Sequence, residues 1–449
     1  MKTVHIAILT GALVSSACAR TISGSADNIT RLELARTAEP KSEAVQRSLG
    51  IAYFNANRFD EARDALRTAM SMDPKDGVAA LFLGLTAEAQ SDLSAARTAY
   101  ESYLKIGRTQ GVKKQINDRL VALARKENEA AAKRAVAQEG QLSLVPGSPS
   151  TVAVLPFVFS GSDTSLKPLE RGFAELVTTD LSRSSQLTVL ERARLQALLD
   201  EMQLQQGAGV EAGTGVRAGK MLQAGRLVGG TISQPAADQL LANAFITDVQ
   251  STQTVGTGTS SQQAVDQLFA LEKSVVLSLF SDLGVRLTTA ERNAIEQRPT
   301  RSLAAFLAYS RGLELQDQGR FDEASRFFDN ALRIDPSFGA AQQKSRESKS
   351  ASAGTRVNAT SVESGLRGTT EGASVSAATQ GTAAAASSGT ALAAAEGLVP
   401  SAAAGATSGA TTATQPVKSA AAGTGGDNPT TKSAKVTIVI HQPSPTRQP

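Results

Sequence analysis

The chain has 449 residues, enough for about two to four domains. Its 46 Lys and Arg against 42 Asp and Glu leave a net charge of +4, too small a surplus for a nucleic-acid-binding stripe, so no nucleic acid is expected as a partner. Two His, one Cys and no Trp occur, and the His and Cys sit at the ends as His5, Cys18 and His441. Everything between must work without imidazole or thiol. That excludes Cys/His zinc sites, Cys nucleophiles, Ser-His-Asp triads and intrachain disulfides from the interior.

The amino terminus reads as an address. Lys2 supplies a positive start, residues 4–14 are mostly apolar, and Ser15, Ser16 and Ala17 lead into Cys18. The run is shorter than the ~20 apolar residues of a bilayer-spanning helix and fits an export signal over residues 1–17. Cys18 after a small residue resembles the lipobox of bacterial lipoproteins, although Ser15 stands where that pattern prefers Leu. The resemblance implies a lipid on Cys18 and, with Ala19 next, sorting to the inner leaflet of the outer membrane. Ordinary cleavage after Ala19, giving a soluble periplasmic protein, is the competing expectation.

Helical repeats follow over residues 43–110. Leu49-Gly50 returns 34 residues later as Leu83-Gly84, and Ala62 is matched by Ala96. Gly50, Tyr53, Ala62, Ala69 and Pro74 stand where the tetratricopeptide repeat places small, aromatic and helix-ending residues. Small residues let paired helices approach, and Pro74 stops the second helix. The second unit is weaker, with Ala80 and Ala87 at large-residue positions. A third unit lies in residues 301–345, where RFDEA of Arg58 to Ala62 recurs as Arg320 to Ala324 and Asp73-Pro74 as Asp335-Pro336. The resemblance implies a concave groove for protein partners, lined by Arg47, Ile51, Phe54, Asn55, Leu81, Leu85 and Glu88. The alternative is that Phe54, Leu81 and Leu85 pack on the next element of the chain, a helix over residues 111–138 whose Ile116, Leu120 and Leu123 form a partial stripe.

A Pro/Gly-containing linker at residues 139–150 precedes an α/β domain over residues 151–287. Residues 151–160, TVAVLPFVFS, read as a strand, and Phe173, Leu176, Val177 and Leu181 as a helix. Leu187 to Leu190 is a second strand. Leu195, Leu198, Leu199 and Met202 fall at i, i+3, i+4 and i+7 of a helix. A short helix, a strand through Leu227 and Ile232, a hairpin over residues 240–259 and a closing helix from Val265 to Leu283 complete an alternating pattern.

The order VAVLPF, TTDLSRS, LTVLERARLQALLDE and AGRLVGGTI resembles the CsgG family, the curli-secretion channel domain and its soluble relatives, and also the TolB amino-terminal-like domain. The resemblance implies an α/β sandwich domain flanked by tetratricopeptide hairpins. A ring-forming homo-oligomer is a further implication, since the best-known member assembles a secretion pore. The sequence departs there: about thirty residues separate Ile232 from Val265, and residues 252–261 carry Val255 as their sole large apolar side chain, whereas membrane strands need ~9–11 residues with a lipid-facing alternation.

No catalytic constellation emerges, and no metal or cofactor is expected. Gly213, Gly219 and Lys220 miss the phosphate-loop spacing, and Met221 replaces its Ser/Thr. Arg192 is expected to pair with a nearby carboxylate and Glu191 to assist the helix that follows. Asp200 and Glu201, being adjacent, point to different sides of a helix. Gly256 and Gly258 read as a loose strand end. Residues 346–433, dominated by Ala, Ser, Thr and Gly, read as disordered. Residues 434–442 contain KVTIVI, a terminal strand that either docks on a sheet edge or has no partner. The expectation is a non-enzymatic envelope scaffold in outer-membrane assembly or secretion of surface material. The alternatives are a ring-forming secretion channel and a carboxylate-dependent hydrolase.

Overall fold

The computed structural model describes residues 15–202, 212–259 and 262–380. Most of the expected signal segment and all of the terminal strand at residues 434–442 lie outside the described residues. So do residues 381–433 of the tail.

The described residues begin with α1 (Ser15–Ala38), whose Ile29 and Leu32 are buried against Leu49, Ala52 and Tyr53. The first repeat is α2 (Glu43–Asn55) and α3 (Phe59–Met72), the second α4 (Gly77–Ala89) and α5 (Leu93–Ile106). Their pairing rests on glycine. A Cβ on Gly50 would lie 2.7 Å from Leu66 Cδ2, and one on Gly84 2.5 Å from the Tyr100 ring. The turn between paired helices is left-handed at Asn57 (φ 58°), Ser91 (φ 61°) and, in the third repeat, Gly319 (φ 74°). The weaker second unit is secured by aspartates: Asp76 and Asp92 accept N–H bonds from Ala79 (2.9 Å) and Ala95 (3.0 Å) at the starts of α4 and α5.

The long helix α6 (Gln110–Ala137) packs on α5 and runs to the α/β domain, followed by the single turn α7 (Glu139–Leu142). The sheet comprises β1 (Ser148–Val154), β2 (Val158–Ser160), β3 (Thr188–Val189), β4 (Ala224–Ala236), β5 (Gln239–Asp248), β6 (Thr254–Thr259) and β7 (Gln263–Ala264). Its central order is β3-β1-β4-β5-β6; β1 lies parallel to β3 and β4, whereas β5 lies antiparallel to both of its neighbours, β4 and β6. The linker assigned to residues 139–150 is thus partly ordered, holding α7 and the start of β1. The expected strand over residues 151–160 is two strands, because Pro156 offers no N–H to the ladder.

Around the sheet pack α8 (Leu169–Leu181), α9 (Arg192–Glu201), α10 (Ala212–Met221) and α11 (Leu268–Asp282). One face buries Val152, Val154, Val228 and Ile232 with Phe173, Val275 and Leu279; the other buries Ala153, Leu155 and Leu227 with Leu195, Leu198 and Ala218. Gly256 and Gly258 are not a loose strand end. A Cβ on Gly256 would meet Asp282 Cβ at 2.7 Å, and one on Gly258 the Val275 carbonyl at 3.2 Å, so both glycines let α11 lie close on β6.

After α12 (Thr289–Ile295) the third repeat is α13 (Leu303–Asp317) and α14 (Phe321–Ile334), continued by α15 (Gly339–Thr355). Two shorter helices follow, α16 (Ala359–Leu366) and α17 (Thr370–Gln380). Disorder is therefore the wrong reading of residues 346–380. Ser345, Ser348, Ala351, Ser352 and Gly354 form the buried side of α15, and a Cβ on Gly354 would run into the backbone of Asp118 on α6. Small residues that cannot bury much area alone let two backbones approach closely. Among the described residues no helix is long and apolar enough to cross a membrane.

Candidate partner-binding surface

The seven groove residues of the first two repeats are not an open lining. Ile51 and Leu81 are fully buried and Leu85 nearly so. They share a cluster with Val112 and Ile116 of α6, Val362 and Leu366 of α16, and Val375 and Ala378 of α17. Phe54 is half-buried and meets Phe82 edge-on at 5.6 Å, while Asn55 stands exposed at the end of α2. The groove is filled from within the chain. Part of the filling is the expected helix, α6; the rest comes from α16 and α17, which sequence reasoning missed.

The two charged lining residues anchor ion-pair networks. Arg47 donates to Glu43 one turn away and to Asp76 Oδ2 at 2.9 Å, joining α2 to the start of α4. Burial, then the shared hydrogen bond with Asp76, raises Glu43 to about 7 despite Arg47. Glu88 accepts from Arg119 Nε at 2.9 Å, Lys126 Nζ at 3.0 Å and Tyr100 at 3.1 Å. Burial pushes the Glu88 carboxyl up, but Arg119 and Lys126 outweigh it and hold it below the usual range.

On α17 the acidic residue Glu371 is buried. Its carboxylate accepts the N–H of Arg108 and of Thr109, both at 3.0 Å, the Thr109 hydroxyl at 2.5 Å and the Tyr103 hydroxyl at 3.3 Å. These donors lie at the α5–α6 turn, where a helix start leaves N–H groups free and favours a negative charge. Burial, and then the Glu371 charge, pushes the Tyr103 hydroxyl above its ordinary range.

A second charged cluster joins the α/β domain to the third repeat. Arg192 donates Nε to Glu175 of α8 at 2.8 Å and Nη1 to Asp317 at the end of α13. Arg125 of α6 donates to the Asp317 carbonyl at 2.9 Å. A cavity of about 440 Å³ opens there among α6, α9, α13 and α15. Glu191 occupies the N-cap of α9 without a side-chain cap bond, and Asp200 accepts from Gln196 at 2.7 Å.

The acids that the fold brings together lie beside shared cations. Glu175 and Asp317 share Arg192; Asp180 and Glu272 share Lys273 between α8 and α11. Glu272 is fully buried, and burial raises its carboxyl to about 8 even beside Lys273. Among the described residues no group of three or more His, Cys, Asp or Glu is placed to hold a metal.

Residues 134–267 match the family described as curli production assembly/transport component CsgG. Residues 47–110 and 307–338 match tetratricopeptide repeats. The chain combines tetratricopeptide repeats with a CsgG-like domain. No curated protein matches it. Among solved structures, the LpoB C-terminal domain from Salmonella enterica aligns at 11% identity over 26% of this chain and 84% of that one, with a TM-score of 0.23.

Proposed function

We propose that the protein is a non-enzymatic envelope scaffold that binds protein partners, in outer-membrane assembly or in secretion of surface material. On this reading it is exported and anchored through Cys18 to the inner leaflet of the outer membrane. The observation that carries it is the joining of two interaction-type modules. Helical repeats, whose usual work is holding other proteins, are packed through α6, α9 and α13 onto a domain matching a secretion-assembly family. Neither family is enzymatic in general, and the paired acids share largely buried cations: Glu43 and Asp76 share Arg47, Glu175 and Asp317 share Arg192, and Asp180 and Glu272 share Lys273.

Photo-crosslinking residues placed at exposed positions of α3, α5 and α14 in living cells test the reading. Discrete crosslinks to envelope proteins, with the chain sedimenting with outer membranes, are the expected result. A chain that stays in the cytoplasm, or that forms no crosslink at any position, overturns it.

A further inference from the structure

The cavity between the α/β domain and the third repeat carries charge that the chain leaves unmatched. Its volume, about 440 Å³, lies in the range of small-molecule sites, which favour junctions between domains. Six acids line it, Glu129, Glu175, Glu191, Asp200, Asp317 and Glu347, against three cations, Arg125, Arg192 and Lys344. Each cation is already committed. Arg192 holds Glu175 and Asp317, Arg125 holds Glu129 at 2.8 Å, and Lys344 holds Glu347 at 3.2 Å. Three acceptors on the wall remain without a hydrogen bond. Gln316 is 9% exposed, its amide nitrogen is spent on Glu347 at 3.2 Å, and its Oε1 accepts nothing. The Asp317 side chain is 7% exposed, and its Oδ2 accepts nothing, although Arg171 Nε lies 3.4 Å away. Glu191 is exposed, and its carboxylate pairs with no described residue.

We propose that this cavity is a binding site for an aliphatic amine bearing two or more ammonium groups. An anion is disfavoured, because every cation on the wall is engaged and the acids outnumber the cations. A metal ion is disfavoured as well, since among the described residues no three carboxylates are placed to hold one. An ammonium group supplies what the wall lacks, positive charge and up to three N–H donors. Gln316 Oε1 and Asp317 Oδ2 accept on the buried side of the cavity, and Glu191 accepts on the exposed side. The methylenes between two such groups suit Val121, Ala197 and Phe321, which form apolar parts of the same wall. No element has to move to admit the ligand, since Glu191 and Ala193 bring the cavity to the surface. Because α6, α9, α13 and α15 supply the walls, a bound amine ties the α/β domain to the repeats on either side of it. The site lies apart from the filled groove and stands or falls independently of the scaffold reading.

Isothermal titration of the full chain with spermidine tests the site, with magnesium chloride and sodium glutamate titrated in parallel. One spermidine per chain, and no saturable heat from magnesium or glutamate, is the expected result. E191Q removes an exposed charge and is expected to weaken binding about fivefold. Q316M keeps the bulk of Gln316 without its acceptor and is expected to weaken binding about tenfold. A193W fills the cavity from the exposed side of α9, removes no charge and is expected to abolish binding. E39Q neutralises an exposed acid just after α1 and is expected to change nothing. Circular dichroism and the unfolding midpoint establish that each variant is folded. E191Q and A193W, both at exposed positions, decide the question if Q316M does not fold. Absence of saturable spermidine binding overturns the proposal, as does an affinity that E191Q and A193W leave unchanged. An equal loss with E39Q overturns it too, by showing a general attraction to an acidic surface. Magnesium that binds saturably and displaces spermidine overturns the assignment of the ligand class.

Discussion

Arg192 and Asp317 meet across 125 residues of chain, the first residue of α9 in the CsgG-like domain holding the last residue of α13 in the third repeat. Arg192 also holds Glu175 at 2.8 Å, so one guanidinium neutralises two largely buried carboxylates. Removing it takes from Glu175 its hydrogen-bonded cation and leaves Asp317 with Arg171 alone, whose Nε lies 3.4 Å away.

R192A is therefore expected to cost about 3–5 kcal/mol of folding stability. Urea unfolding followed by circular dichroism measures the loss, and hydrogen exchange should show α13 and α14 opening before the sheet. A loss below about 1 kcal/mol, the range of exposed pairs, would show that the junction is not held by this residue.

The same interface depends on a close helix contact. Gly172 of α8 faces α13 so directly that a Cβ would fall on Ser310 Oγ and within 2.9 Å of the Phe306 ring. G172A is expected to destabilise by about 1–3 kcal/mol through overpacking. S310A removes the obstructing oxygen, so the double variant should recover part of that loss in a thermodynamic cycle. Strict additivity of the two substitutions would place the strain elsewhere.

Glu272 sets a pH dependence. Its carboxyl is raised from the ordinary value of 4.5 to about 8 by burial in the sheet–helix core. An acid with a raised folded-state value favours the fold in its protonated form. Its contribution is thus complete below about pH 4.5 and is lost as pH climbs through 8. E272Q, which cannot ionise, should match wild type near pH 5 and exceed it near pH 8.5. Parallel stability profiles for the two proteins over that window would contradict the assignment.

Cys18 is the proposed anchor. Metabolic palmitate labelling should mark wild type and not C18A, and the variant should leave the membrane pellet for the periplasmic fraction. Labelling that survives the substitution defeats the anchor.

The repeats were readable because their determinants are local. The Gly50–Leu66 and Gly84–Tyr100 approaches occur within one hairpin, and the 34-residue spacing and the second RFDEA repeat them along the chain. Arg192's need for a carboxylate was readable too, as a charge at a strand end. Its partners were not, because Asp317 belongs to a repeat that sequence order places far away. Gly256 and Gly258 misled for a related reason: a glycine in a loose strand and one beneath a close helix are written identically, and only α11 distinguishes them.

The sequence by itself determined which segments pair into helical hairpins and that the interior works without thiol or imidazole. Only the tertiary structure decided what fills the first groove. Glu371 and Thr109 are 262 residues apart, and no periodicity links them. An Ala/Ser/Gly-rich stretch buries too little surface to order itself, so its composition alone argues for disorder. Once α6 and the first repeats offer a matching surface, the same small side chains allow a close approach and a buried carboxylate supplies the remaining hold.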